Sequence, residues 1–269
     1  MNAPHPSAIT PAGLLKFIAI LLLLIFLIKI KALFYTGQFI PDHFIKIGVS
    51  LLAIFVALFL QQLYRINSFI SVGLTQIRIR AVYFASLFFP AYIFILTFSA
   101  GSFSMNPWEM ALIVLSTTIA SSAEEFIFRH FAVNYLKACK ISTKQVIFFT
   151  SILFALAHFT NTFDKGDLLN VGNQVIFSFF AGIILCTSTI LFRSLLPALL
   201  IHALVNIPSK LADHPAVGEN AATGNTSFIM GFLTTQLVFL PVYILSFLVL
   251  KILYKEGKKD QPLKDLPNS

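Results

Sequence analysis

Apolar runs of about twenty residues, parted by short polar turns, follow one another along most of the chain. A lone segment of that kind crosses the roughly 30 Å hydrocarbon core only as a helix, which bonds its own N–H and C=O groups internally. Charged residues make up 11% of the 269 residues, against about 25% in a soluble domain. The expected fold is therefore all-α, a polytopic membrane helical bundle of about eight transmembrane helices forming one structural domain.

The spans read as Leu14–Phe34, Ile47–Tyr64 and Ala81–Ser99, then a longer helix from about Trp108 to Cys139 opened by Asn106-Pro107. At 1.5 Å per residue that fourth helix measures about 46 Å, so it should tilt or protrude. Ser142 is placed to cap a fifth helix, Lys144–Phe159, and Val171–Phe192, Leu195–Ile207 and Phe228–Tyr254 complete the set. This divides the chain into an N-terminal region, 1–107, with about three helices, a core, 108–207, and a last helix with a charged tail, 208–269.

The formal charge of +8 does not point to nucleic acid, because the basic residues gather at span ends. Arg65, Arg78 and Arg80, then Lys137, Lys140 and Lys144, then Arg193 and the C-terminal tail, mark one side as cytoplasmic. The opposite loops carry little beyond Lys165 and Lys210. Lys29 and Lys31 break the pattern, since they fall at the outer end of the first span. The expected location is an integral position in a membrane, the bacterial inner (plasma) membrane, with the C-terminus cytoplasmic. Cys139 and Cys186 form no disulfide framework and read as packing residues.

Within the fourth helix, Ser121–Phe131 reads SSAEEFIFRHF. An ionised residue at mid-membrane costs roughly 2.5–3.5 kcal/mol, so two glutamates and an arginine together call for a use. Glu125 and Arg129 stand i and i+4, which predicts an internal ion pair. Glu124 points about 100° away from that pair. A carboxylate in such a setting suits a general base or a metal ligand. A purely structural clamp between helices is the plainer alternative.

His158 on the fifth helix lies about 21 Å from its inner end, a depth comparable with Glu124. His202 and Asn206 are i and i+4 on the seventh span and share a face. Each alone reads as a polar packing contact. Together, a carboxylate, two imidazoles and an amide at middle depth on three helices point to one buried hydrophilic site. His5, His43 and His214 fall in loops or near ends, and His130 points some 240° away from Glu124 on the helical wheel. Ser121, Ser122 and Thr117 read as packing residues, and the HEXXH zinc signature is absent.

Three short patterns occur in order: E-E-x-x-x-R at Glu124–Arg129, F-x-x-x-H at Phe154–His158 and H-x-x-x-N at His202–Asn206. The chain in this respect resembles the CPBP intramembrane proteases, which include type II CAAX prenyl proteases and bacteriocin-processing or self-immunity proteins. The resemblance covers about Glu109–Ile207, and His130 departs from the glycine common after the arginine. It implies an intramembrane endopeptidase in which Glu124, aided by His158, activates a water. His202 and Asn206 would hold the oxyanion, with Glu125 and Arg129 in support. The resemblance also implies a metalloprotease-like site with the metal left open, in which Glu124, His158 and His202 could bind zinc or another divalent metal. The implied partners are the lipid bilayer and a membrane-associated peptide or lipidated protein, such as a prenylated CAAX-type chain or a bacteriocin leader. Two other readings stay open at this point: a proton- or ion-coupled transporter using Glu124, Glu125 and Arg129, and a non-catalytic immunity or scaffold protein.

Overall fold

The helix that carries the two glutamates starts where Asn106 accepts a hydrogen bond from the Trp108 amide at 2.9 Å, with Pro107 in the first helical position. That cap supplies one acceptor to an otherwise orphaned N–H, and proline costs nothing where no intrahelical donor is needed. The computed structural model describes residues 11–30, 34, 36–64, 66, 70, 88, 90–93, 95, 106–161, 168–212 and 228–259. Its regular elements are helical: α1 (Pro11–Lys29), α2 (Phe39–Leu63), α3 (Pro107–Ala138), α4 (Thr143–Phe159), α5 (Leu168–Phe192), α6 (Leu196–Ala212) and α7 (Phe228–Lys259). The expected third span, Ala81–Ser99, lies largely outside the described residues.

The protein is an all-α membrane helical bundle. Four described helical segments are long and apolar enough to cross a membrane, namely Phe39–Leu63, Pro107–Ala138, Leu168–Phe192 and Thr235–Ile252. Two shorter apolar helices, α4 and most of α6, pack among them. Large apolar side chains such as Phe55 and Phe59 on α2, Leu156 on α4 and Phe247 on α7 are exposed. Polar ones such as Ser116, Glu125, Arg129, Thr187 and His202 are buried. An inward-facing polar set with an apolar exterior is what lipid, rather than water, demands.

Two boundaries differ from the sequence reading for a physical reason. α2 begins at Phe39 rather than Ile47, because His43 and Lys46 are not solvent-facing loop residues. His43 Nδ1 lies 2.7 Å from Ser116 Oγ, and Lys46 donates to Thr117 Oγ1 at 3.2 Å, so both bond across the α2–α3 seam. α6 continues through Pro208 to Ala212, five residues beyond the expected end at Ile207. α3 and α5 both end in left-handed residues, Lys140 (φ 60°) and Arg193 (φ 48°), where glycine is commoner. The amides that follow close the helix ends, Ile141 N to Leu136 O at 3.1 Å and Ser194 N to Thr189 O at 3.2 Å. A basic residue there gives up roughly 1 kcal/mol of backbone comfort but places a cation against the helix C-terminus.

α3 runs through the middle of the site, packed on α2 and α6 along its length, while α4 lies against α5. Gly182 sets the α4–α5 distance, since a methyl group there would lie 3.1 Å from the Ser151 Cα. That neighbour is backbone and cannot rotate away. Gly182→Ala is expected to lower unfolding stability by about 1–2 kcal/mol despite the better helix propensity of alanine. Denaturation in mild detergent checks this, and an unchanged or higher midpoint would show that the two helices separate freely.

Candidate active site

The α-helical turns of α3 give way at Phe126–Ala132 to a π-helical segment, directly after Glu125. Such widened turns are rare and concentrate at functional sites. Here the segment carries Arg129 and His130, both buried, and packs against α1, α2 and α4. Arg129 Nη1 donates to Glu125 Oε1 at 3.0 Å, with both side chains fully buried. The guanidinium also lies 4.2 Å above the Phe154 ring of α4. A cation in this interior thus meets a carboxylate and an aromatic face, which offsets part of the cost of burying it.

His202 of α6 stands between the two glutamates. Its Nδ1 is 2.7 Å from Glu125 Oε1 and its Nε2 is 3.7 Å from Glu124 Oε2. The first is a hydrogen bond; the second is an electrostatic contact beyond direct bonding reach. One Glu125 oxygen therefore serves both Arg129 and His202. From the sequence, His202 was expected beside Glu124; the shorter contact is to Glu125, which becomes the residue that orients the imidazole. Asn206, one turn further along α6, donates to Ser121 Oγ at 3.0 Å. Ser121 is thus more than a packing residue.

His158, at the end of α4, places Nδ1 2.9 Å from the Phe154 carbonyl oxygen. A carbonyl only accepts, so Nδ1 carries the proton and Nε2 presents its lone pair. The Phe154 ring meets His158 edge-on at 4.7 Å and His202 at 5.6 Å. Phe154 therefore touches both imidazoles and the arginine. Sequence reading named it only as a letter in a motif, because a phenylalanine in a chain of thirty carries no signal of its own.

A cavity of about 20 Å³ lies where α1, α3 and α4 meet, lined by Lys29, Glu124, Phe128, Ala157 and His158 among others. About 10–15 Å³ suffices for one water, so the space fits a single water with a carboxylate and an imidazole on its walls. Lys29 was anomalous for topology; here it is part of this wall. Its ammonium donates to Asn161 Oδ1, and Asn161 Nδ2 donates to Gln174 Oε1 at 2.8 Å.

Among the described residues no three His, Cys, Asp or Glu side chains are gathered in a way that would hold a metal ion. The set Glu124, His158 and His202 does not form a metal cradle in this arrangement. His202 is drawn between the glutamates, and His158 faces the cavity from α4.

Residues 106–208 match a known family model, described as Type II CAAX prenyl endopeptidase Rce1-like. This is the group that the three motifs resemble, and the match spans fewer than half of the 269 residues. No curated protein and no solved structure gives a match.

Proposed function

We propose that this chain is an intramembrane endopeptidase that hydrolyses a peptide bond near the C-terminus of a lipid-anchored substrate of the prenylated CAAX type. The observation that carries the reading is the water-sized cavity shared by the Glu124 carboxylate and the His158 imidazole. Glu124 takes a proton from the water, whose oxygen attacks the scissile carbonyl. The His158 Nε2 lone pair orients that water. The resulting tetrahedral centre collapses as the C–N bond breaks and Glu124 returns the proton to the leaving amine. His202, oriented through Glu125, sits on the far side of Glu124, and Asn206 acts with it. The exposed apolar helices keep the protein in the bilayer, where a prenyl group would reach the site laterally. The excess of basic residues on one side supports a cytoplasmic C-terminus.

The full-length protein in proteoliposomes is expected to release a short peptide from a prenylated peptide ending in a free carboxylate. Rates should be unaffected by a chelator. Absence of cleavage by folded, inserted protein would remove this reading. Loss of activity on chelation, restored by zinc, would instead return Glu124, His158 and His202 as a ligand set.

A further inference from the structure

α3 and α6 meet through two polar rungs one helical turn apart. Glu125 of α3 faces His202 of α6 at 2.7 Å, and Ser121 of α3 faces Asn206 of α6 at 3.0 Å. Ser121 and Glu125 are i and i+4, as are His202 and Asn206, so the two helices run in opposite directions and match turn for turn. Three of these four residues belong to the sequence motifs; Ser121 does not. Nearby hydroxyls on α3 bond within their own helix: Thr118 donates to the Val114 carbonyl and Ser122 to the Thr118 carbonyl, each at 2.8 Å. Ser121, 2% exposed, instead accepts from Asn206 Nδ2 across the seam. It also stands i, i+3 from Glu124, which puts their Cβ atoms about 5–6 Å apart. The amide held by Ser121 is therefore kept within a turn of the carboxylate that activates water, while His202 Nε2 stands 3.7 Å from Glu124 Oε2. An amide nitrogen carries two N–H groups, and the bond to Ser121 takes up one of them.

We infer that Ser121 is a positioning residue of the reaction, whose hydroxyl fixes the Asn206 amide so that its second N–H meets the carbonyl oxygen of the substrate as that oxygen becomes an oxyanion. This rests on the hydrolytic reading above. When the water oxygen bonds to the carbonyl carbon, the C=O π pair moves onto oxygen. An N–H already in place meets that charge without first reorienting. The last torsion of an asparagine is broad, and an amide turned over would present its oxygen to the growing charge. The bond to Ser121 is the contact that holds the Asn206 nitrogen towards α3. Its benefit grows only as charge develops, so Ser121 acts on turnover more than on binding.

With the prenylated free-acid peptide as substrate and the full chain in proteoliposomes, Ser121→Ala is expected to lower kcat by about 10–100-fold with KM little changed, as for other residues that orient a reacting group. Alanine is the better helix former, so the variant should insert and fold. Ser121→Thr, which keeps the hydroxyl, should recover most of that loss. A double-mutant cycle separates this role from a structural one. Asn206→Ala should lower kcat by about 10²–10³-fold. Adding Ser121→Ala to it should cost less than about a further twofold, since no amide remains to be positioned. An equal loss from Ser121→Ala with and without Asn206, a defect confined to KM, or a Ser121→Ala kcat near wild type would overturn the assignment while leaving the hydrolytic reading in place. Failure of the wild-type protein to cleave the peptide would overturn both.

Discussion

Exchange of Glu124 for glutamine is expected to reduce peptide cleavage by about 10²–10⁴-fold, the usual contribution of a positioned general base. Glutamine matches the shape of glutamate but cannot take a proton from water at neutral pH. The Glu124 side chain is 23% exposed, and its Oε2 is 3.7 Å from His202 Nε2. The exchange should therefore change stability by less than about 1 kcal/mol, as for other partly exposed side chains without a close bond to this partner. Substrate binding should be retained, so the loss should appear in kcat. Single-turnover assays beside a denaturation curve make the distinction. A Glu124→Gln protein that turns over at near wild-type rates would dismiss water activation by this carboxylate, whatever the fate of the other residues.

Removal of the Arg129 guanidinium should have the largest effect on folding. Arg129→Met leaves the fully buried Glu125 carboxylate with the His202 imidazole on its Oε1 and without the guanidinium, and breaking such a pair typically costs 3–5 kcal/mol. Total stabilities are often only 5–15 kcal/mol, so poor recovery of folded protein is expected. Replacing both members, as in Glu125→Leu with Arg129→Met, removes the uncompensated charge and should recover much of that stability. Activity should not return with it, because His202 Nδ1 loses its 2.7 Å acceptor and the imidazole is no longer oriented. A double-mutant cycle read by both stability and turnover checks this. Full folding of Arg129→Met alone, or full activity in the double variant, would refute the assignment.

The residues of the site were legible because charge inside an apolar run is conspicuous: Glu124, Glu125 and Arg129 stand out without any knowledge of packing. The depth of His158 and the shared face of His202 and Asn206 followed from helical rise and period. What escaped was information held between helices. His43 read as a loop or end residue because a side chain bonded to Ser116 looks, in one dimension, like one bonded to water. The choice of His202 for Glu125 depends on how α6 crosses α3, which no local pattern encodes. The π-helical segment left no periodic mark, since seven residues are too few to shift an apolar repeat. Phe154 gained its place only once its ring was seen against Arg129 and both histidines. Lys29 did leave a trace, as a misfit with the charge bias, but nothing in one dimension tied that misfit to the cavity beside Glu124 and His158.

Ile25, Ile28 and Lys29 follow one face of α1 and close the cavity from a helix that contributes none of the three motifs. The carboxylate and the imidazole come from the motif-bearing helices, while part of the wall that encloses them comes from α1. Substitutions on this face of α1 can retune which peptide is admitted without disturbing the acid, the imidazoles or their bonds. A protein excised to the motif-bearing helices alone would keep every one of those groups and present them to an open cleft.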